Sequence, residues 1–249
     1  MKNLFIPFLF AVLFFSLIPN QINAQITFQI GAGAGYSLPS GDYGGTAVDF
    51  YNGTKYGMSS GYNFHGKVRL GLLFINAFGE IGYSTFSGDG EIIAGNNNSS
   101  VDVKNKILSL RLGPEFKFDI PLSPITPYFD AFLSLNTFSG TVQFKSAPNG
   151  LPSDEKNIES ASRIGIGGGG GILFSLGGLK LDLNIQYHLM NLAGKKFDGD
   201  PTKNQRLESY TFINDDKDPA ALLGSTAHII SDSRSINAIE FKLTVLFGI

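Results

Sequence analysis

The sequence predicts an all-β protein, an eight-stranded antiparallel up-and-down transmembrane β-barrel with short periplasmic turns and long extracellular loops. Segments in which apolar and polar residues alternate recur eight times, and a period of two is that of a strand with two unlike faces. The connections between them are alternately a few residues and long polar stretches, which is how outer-membrane barrels sort their two ends. Glycine is abundant, at 31 of 249 residues, and only 16% of residues are charged, against roughly 25% in soluble domains.

The N-terminus has the pattern of a secretory signal peptide. Lys2 precedes an apolar run at residues 4–18, and a small residue, Ala24, supplies a cleavage site. We therefore expect residues 1–24 to be a cleaved signal peptide and residues 25–249 to form the barrel domain. A membrane anchor is disfavoured because the run is short for a spanning helix. The absence of Cys excludes a disulfide framework in the exported protein.

The first half of the chain supplies four predicted strands. The first, residues 26–36, alternates apolar residues with glycines. The second, 62–72, and the third, 76–84, alternate apolar residues with polar or charged ones and are joined by almost no connection. The fourth, residues 108–119 (LSLRLGPEFKFD), has Leu, Pro and Phe on one face and Ser, Arg, Gly, Glu, Lys and Asp on the other. Each segment therefore has one apolar and one polar face.

The second half supplies four more strands. A proline-rich turn leads to the fifth, residues 129–136, and the sixth, 162–174, combines isoleucines with a run of glycines. After a tight turn the seventh, 179–189, and the eighth, 239–249, again alternate strictly. An even number of strands returns both termini to the periplasmic side. Long loops are predicted near residues 38–57, 86–105, 139–160 and 191–233.

The polar face is predicted to line the lumen. Its glycines suit the crowded interior of an eight-stranded barrel, and its charges are balanced in sign, as expected where an unpaired charge is costly. In a soluble secreted ligand-binding barrel, the alternative, the same charges would meet water. The predicted lumen charge network consists of Arg69, Glu80, Arg111, Glu115, Asp130 and Arg163.

The apolar face carries aromatic residues sorted by strand end, which predicts two interfacial aromatic girdles. The girdle at the long-loop ends consists of Tyr36, Tyr62, Tyr83 and Tyr187. The girdle at the short-turn ends consists of Phe28, Phe118, Phe129 and Phe247.

Five stretches resemble the small bacterial outer-membrane β-barrel family, the OmpA-like and OmpX-like eight-stranded barrels of the outer membrane protein beta-barrel domain. They are GYSLPSGDYG, LFINAFGEIGYSTFSG, LSLRLGPEFKF, TPYFDAFLSLN and the terminal IEFKLTVLFGI. The resemblance implies an outer-membrane location, contact with outer-membrane lipid, and recognition of the C-terminal strand by the barrel-insertion machinery. We also expect a monomer with an extracellular partner at its loops. Nucleic-acid binding is not expected, because the net charge is −2 and no basic stripe is present.

Residues that could carry chemistry are few. His65 and His188 fall at predicted lumen positions and His228 in the last loop, where residues 228–233 (HIISDS) also hold Ser and Asp. A lipid A-modifying hydrolase would need a His beside a Ser and a carboxylate. The Asp–Gly stretches do not fit an EF-hand loop. We therefore expect no cofactor, no metal and no enzyme activity.

The function expected is that of a non-enzymatic outer-membrane protein with a structural or surface-interaction role carried by its loops. A narrow pore and a barrel that serves secretion or assembly remain open as alternatives. The hydrolase and the soluble barrel fit the pattern less well. The apolar stretch at residues 220–230 (AALLGSTAHII) is predicted to be a packed lid or strand extension, or else a contact site for a partner or lipid.

Overall fold

The computed structural model of the chain describes residues 27–72, 75–94, 97–145, 153–198, 209–219 and 230–248. Its strands are β1 (Thr27–Ser40), β2 (Ser60–Leu72), β3 (Ile75–Ala94), β4 (Asn97–Lys117), β5 (Ile125–Lys145), β6 (Lys156–Leu176), β7 (Leu179–Ala193) and β8 (Asn237–Gly248). Each strand pairs antiparallel with its sequence neighbours, and β8 pairs with β1 to close the barrel. The predicted eight-stranded up-and-down barrel is confirmed. The predicted signal peptide lies outside the described residues.

The two ends of the barrel differ in their connections. At one end, called the short-turn end, the strands are joined by residues 73–74, 118–124 and 177–178. Gly177 adopts a φ of 70° in the last of these turns, a conformation that glycine reaches without steric penalty. At the other end, called the long-loop end, residues 41–59 join β1 to β2 and residues 194–236 join β7 to β8.

Two of the four predicted loops are largely strand. β3 and β4 continue through residues 86–105 and are separated only by residues 95–96, and β5 and β6 occupy much of 139–160. The prediction that residues 86–105 and 139–160 form loops was therefore wrong for most of these residues. The four strands β3 to β6 therefore form a tall wall at the long-loop end.

The extended strands escaped prediction because their polarity inverts along the chain. On β4, Leu108 and Leu110 point outward and are half exposed. Nearer the long-loop end the same outward face carries exposed Lys106 and Lys104, while Val103 on the inner face is buried. The outward face changes from apolar to charged where the wall leaves the apolar band, so the sequence there resembles a polar loop.

An apolar band encircles the barrel between these two ends. Outward side chains such as Leu112, Phe64 and Leu133 are 69%, 66% and 62% exposed. On β4 the band runs from Leu108 to just past the end of the strand. A tilted strand segment of this length spans roughly 25 Å, the height of the lipid-facing band of outer-membrane barrels. A continuous exposed apolar surface of this kind marks a protein that faces lipid. Within the ranges described above, no helix has both the length and the apolar composition needed to cross a membrane.

The long-loop end is closed by a cap, which consists of residues 41–58, 209–218 and 230–236. The cap contains a 3₁₀ helix (Gly41–Tyr43) and α1 (Ala47–Asn52). It packs against the inner faces of the extended strands to form an apolar core. The core contains Tyr43, Phe50, Tyr56, Met58, Phe86, Ile92, Val101, Val103, Ile107, Phe138, Val142, Phe144, Ile158, Met190, Tyr210, Ile213, Ile236 and Ala238.

Helix α1 is fixed by caps at both ends. The Thr46 hydroxyl accepts a hydrogen bond from the Asp49 amide at 3.2 Å, and the Asp49 carboxylate accepts one from the Thr46 amide at 2.8 Å, which is a capping box. Hydrogen bonds from the Thr46 backbone and side chain lower the pKa of Asp49. Gly53 ends the helix at a φ of 77° and donates to carbonyls of the last turn. The short helix thus holds Phe50 in the apolar core.

Candidate functional site: the lumen and its cap

The lumen near the short-turn end holds a first layer of four charges from β2, β4 and β7. Lys67 Nζ lies 2.6 Å from Glu115 and 3.0 Å from Asp182. Arg69 contacts the same two carboxylates, through Nε and Nη2 to Glu115 and through Nη2 to Asp182 at 3.0 Å. All four side chains are at most 2% exposed. Two cations and two carboxylates therefore neutralise one another away from water, which is the condition under which buried charges are tolerated.

Aromatic rings fill the space around the first layer. The Tyr128 hydroxyl donates to Asp182 at 2.5 Å and accepts from the Asn184 amide at 2.9 Å. Lys67 lies over the rings of Phe78 and Tyr128, 5.0 and 5.5 Å from their centroids, within the range of a cation–π contact. The layer is therefore packed as well as neutral.

A second layer of four charges lies midway along the lumen. Arg111 on β4 binds Glu240 on β8 through both terminal nitrogens, at 2.5 and 2.7 Å, and lies 3.3 Å from Glu80 on β3. Lys242 on β8 donates to both oxygens of Glu80 at 2.8 Å. Again two cations face two carboxylates, and the side chains are at most 3% exposed.

Two residues of the predicted network have different surroundings. Asp130 has no cationic partner within the described residues, and it accepts hydrogen bonds from the amides of Asn184 and Gln186 at 2.9 Å. Arg163 lies at the top of the lumen, where it binds Asp215 of the cap through Nε and Nη2. The other four predicted residues, Arg69, Glu80, Arg111 and Glu115, lie in the two layers.

Five charged partners were absent from the predicted network. Lys67, Asp182, Glu240 and Lys242 occupy the same inward face of strands that the sequence identified, so strict alternation was a sufficient signal for them. Asp215 comes from the last connection, and nothing in its local sequence indicates that it enters the lumen. It also accepts hydrogen bonds from the Asn191 amide and the Lys196 backbone amide.

A serine, a histidine and a carboxylate meet in the second layer. The Ser134 hydroxyl lies 2.8 Å from Nε2 of His188, and Nδ1 of His188 faces Glu240 at 3.8 Å. These residue types in this order are those of a nucleophile, its base and an orienting acid. All three side chains are buried, however, with Ser134 5% exposed and the other two 0% exposed. The Phe132 ring packs edge-on against His188, 5.2 Å between centroids.

The remaining histidines have simpler surroundings. His65 is buried in the lumen, with Nε2 2.8 Å from the Thr244 hydroxyl and Nδ1 3.0 Å from the side-chain amide oxygen of Asn63. His228 lies outside the described residues, as does most of the apolar stretch at 220–230. In the described parts of the chain, no three His, Asp or Glu side chains are grouped to hold a metal ion.

Arg234 links the pieces of the cap. Its guanidinium donates to the carbonyl oxygens of Gly53 at 3.2 Å, Asn214 at 2.7 Å and Ile213 at 3.3 Å. It also lies 4.1 Å from the centroid of the Tyr56 ring. Burial raises the pKa of the hydroxyls of both Tyr43 and Tyr56. Both phenols therefore stay neutral in the folded cap.

The girdle aromatics all point outward. On the long-loop side, Tyr36 and Tyr62 are paired across β1 and β2 with ring centroids 5.5 Å apart. On the short-turn side, the Phe129 ring lies between those of Phe116 and Phe118, at 4.9 and 5.6 Å. Every predicted girdle residue is 39–63% exposed: Tyr36, Tyr62, Tyr83, Tyr187, Phe28, Phe118, Phe129 and Phe247.

Comparison with known proteins gives likenesses of shape only. No protein-family model matches the chain, and no curated protein matches it. Among solved structures, Neisserial surface protein A is 15% identical with a TM-score of 0.47, over 88% of this chain and 96% of that one. A major outer membrane protein of Thermus thermophilus is 15% identical with a TM-score of 0.48, over 90% and 99%. The attachment invasion locus protein Ail of Yersinia pestis, solved with the heparin analogue sucrose octasulfate, is 14% identical with a TM-score of 0.40, over 90% and 99%.

The membrane character of the chain follows from its own surface. Charged layers fill the inside of the ring and an apolar band covers its outside, the reverse of a soluble barrel. Closure of the ring pairs the strand edges, as lipid requires. The chain thus has the fold of a small eight-stranded outer-membrane β-barrel.

Proposed function

We propose that the protein is a non-enzymatic integral outer-membrane protein whose sealed barrel supports a folded surface for contacts outside the cell. The observation that carries the proposal is the closed interior. Two charge-balanced layers cross the lumen between non-adjacent strands, and the apolar core of the cap lies above them. Eight strands enclose only enough space for side chains, and here those side chains are paired with one another.

The orientation follows from the connections. In outer-membrane barrels short turns face the periplasm and longer segments face outward. The long-loop end of this chain is then extracellular, and both ends of the barrel domain are periplasmic. The predicted signal peptide supplies the route of export. Recognition of β8 by the barrel-insertion machinery and a monomeric state complete the proposal.

The extracellular part is built as a domain rather than as loose loops. The extended strands β3 to β6 have polar outer faces and an apolar inner face, and the cap packs against that inner face. A rigid polar surface held above the membrane can bind a partner without the entropy loss of ordering a loop. We therefore assign the surface-interaction role to the cap and the extended wall.

A second candidate is hydrolysis, which the contact between Ser134 and His188 favours. The geometry lacks two requirements of that chemistry. Glu240 is bound by both nitrogens of Arg111, and Ser134 and His188 are too buried for an acyl group to approach. We interpret the three residues as part of the hydrogen-bonded packing of the lumen.

Planar-bilayer recording tests the sealed barrel. The purified folded protein should produce no steady ionic conductance above that of bilayers treated with heat-unfolded protein. A reproducible open level would contradict the proposal and favour the narrow pore. Channel formation should appear only after both layers and the cap are disrupted, for example in an Arg69→Ala, Arg111→Ala, Arg234→Ala triple variant.

A further inference from the structure

The lipid-facing surface of the barrel contains a groove across β1 to β4. Two adjoining hollows, of about 460 and 400 Å³, share Gly66 and Ile81 and open toward the bilayer. The outward residues Ala32, Gly66 and Gly79 have little or no side chain and form the floor. The sides are formed by Ile30, Phe64, Val68, Ile81, Leu108 and Leu110. The two hollows follow one another along the strands, from Tyr83 and Leu108 toward Ile30 and Leu110 nearer the short-turn end, and their outward lining is apolar, as an acyl chain requires.

Two lysines stand directly beyond the upper end of the groove. Lys106 follows the groove residue Leu108 on the outward face of β4, and Lys104 is the next outward residue. Both are exposed, and neither forms an ion pair with any residue in the described ranges. Tyr83, which marks the edge of the apolar band, pairs with Leu108, so Lys106 and Lys104 lie one and two outward positions beyond that edge.

Hydroxyl side chains flank both lysines. Lys106 lies between Thr85 on β3 and Ser139 on β5, and Lys104 lies between Ser87 and Thr141. The first acidic side chain on this face of β4 is Asp102, which is already bound to Lys145 at 2.5 Å. Ammonium and hydroxyl groups are both donors to phosphate oxygens, and an ammonium bond to a phosphate is charge-assisted.

A third hollow on the lipid-facing surface has a similar apolar lining but no lysines beyond its upper end. It measures about 660 Å³ and is lined by Ala34, Gly170, Ile172, Leu183, Ile185 and Leu243. Above it, the next outward residues on β7 and β8 are Tyr187 and Ile239, followed by Leu189 and Asn237, and all four are uncharged. Among these three hollows on the described residues, only those that form the groove across β1 to β4 combine an apolar space with exposed lysines just beyond the edge of the apolar band.

We propose that this groove and the two lysines form a specific site for one phosphate-bearing glycolipid of the outer leaflet, with an acyl chain in the groove and a phosphate on Lys104 and Lys106. The order of the parts, cation at the membrane edge and apolar hollow below it, is the order of headgroup and chain in a lipid. A free phosphate ion would use the lysines alone and leave the groove without a role. The proposal rests on the extracellular orientation of the long-loop end proposed above.

The test measures lipid retention by native mass spectrometry and the lipid-induced rise of the unfolding temperature in detergent. The probes are hexa-acylated lipid A with both phosphates, the same lipid A dephosphorylated, and inorganic phosphate. Lys104→Gln with Lys106→Gln removes the cations. Lys156→Gln with Lys217→Gln removes two lysines that do not contact Asp102, as the matched control. Ala32→Leu fills the proposed groove, and Ala34→Leu, two residues along the same strand face, fills the other hollow.

The site predicts retention of one phosphorylated lipid A by the unaltered barrel. Loss of a charge-assisted contact should weaken binding about tenfold or more in the Lys104, Lys106 variant, and Ala32→Leu should also weaken it. The two control variants should bind as the unaltered barrel does. Equal binding of dephosphorylated lipid A, equal retention by Ala32→Leu and Ala34→Leu, or an equal thermal effect of inorganic phosphate would each overturn the proposal. Conductance measurements bear only on the sealed barrel, so the two proposals can fail separately.

Discussion

Arg111 and Glu240 join β4 to β8 across the lumen through two hydrogen bonds of 2.5 and 2.7 Å. The two strands are not neighbours in the barrel, so the pair sets the distance between opposite walls. Glu80 lies 3.3 Å from the same guanidinium and accepts hydrogen bonds from the ammonium group of Lys242. The four residues therefore act as one neutral unit, in which each charge depends on the others to remain buried.

Replacement of Arg111 by Met should destabilise the barrel by about 3–5 kcal/mol, because Glu240 would be left buried without its cation. Urea unfolding in lipid vesicles, followed by the electrophoretic mobility of the folded barrel, measures the change. The double variant Arg111→Met, Glu240→Gln removes both charges and should recover part of the loss. An unchanged midpoint in Arg111→Met would show that the layer contributes nothing to stability.

Ser134 should not behave as an activated nucleophile. Its hydroxyl contacts His188 at 2.8 Å, but it is buried and it also accepts a hydrogen bond from the Asn136 amide at 2.9 Å. A fluorophosphonate probe should label the folded barrel no more than the Ser134→Ala variant. Labelling that disappears in Ser134→Ala and in His188→Gln, with both variants folded, would instead establish an esterase-type site.

Much of the barrel was predictable because the alternation of apolar and polar residues within each strand shows which side chains face the lumen and which face lipid. Each strand shows its two faces in its own sequence, and a scarcity of charge together with sorted loop lengths decides which face meets lipid. The inward positions of Lys67 and Glu240 follow from the same alternation. The pairing of those positions across the lumen does not, because it depends on barrel diameter and stagger rather than on the residues of one strand.

The cap was not predictable from local pattern. Above the apolar band the outer face turns polar, and Lys104 and Lys106 replace leucines, so the extended strands resembled loops. The partner of Arg163 is Asp215, about fifty residues away in the last connection. A contact between residues this far apart in the sequence produces no repeating pattern of residue types, so it can be seen only in the folded structure.

Arg234→Met should loosen the cap without opening the membrane-embedded barrel. The guanidinium donates hydrogen bonds to four carbonyl oxygens from two segments of the cap, those of Gly53, Lys55, Ile213 and Asn214. Hydrogen bonds from a charged group contribute about 1.5–3 kcal/mol each. We expect faster amide hydrogen exchange in α1 and faster proteolysis within residues 41–58. Exchange in the membrane-embedded segments of β2 and β7 should not change. Lys145→Met, which removes an exposed cation, serves as the control and should leave α1 protected.

The cap should lose stability at alkaline pH. Burial raises the pKa of Tyr43 and Tyr56 above the value in the unfolded chain. The stabilisation is therefore fully present below the unfolded pKa, near 10, and is lost as the pH rises from there toward the folded pKa. Amide exchange of the cap measured from about pH 8 to 11, after correction for the intrinsic rate, should show this loss. The Tyr43→Phe, Tyr56→Phe variant should show a smaller dependence, and an identical dependence would assign it to other groups.

Two glycines on opposite sides of the barrel wall should respond differently to the same substitution. A Cβ at Gly113 would lie 1.9 Å from the backbone oxygen of Ala131 and 2.8 Å from the Cα of Phe132, so β5 itself would have to move. Pro114, which follows, has no amide hydrogen for the ladder and cannot compensate by a new bond.

A Cβ at Gly66 would meet Ile81 at 3.7 Å, an ordinary contact, and would point to lipid. Gly113→Ala should therefore lower stability by about 1–3 kcal/mol or more, and Gly66→Ala should change it by less than about 1 kcal/mol. The urea midpoints of the two variants in vesicles test this difference, and equal losses would mean that the close approach of β4 and β5 does not limit the size of residue 113.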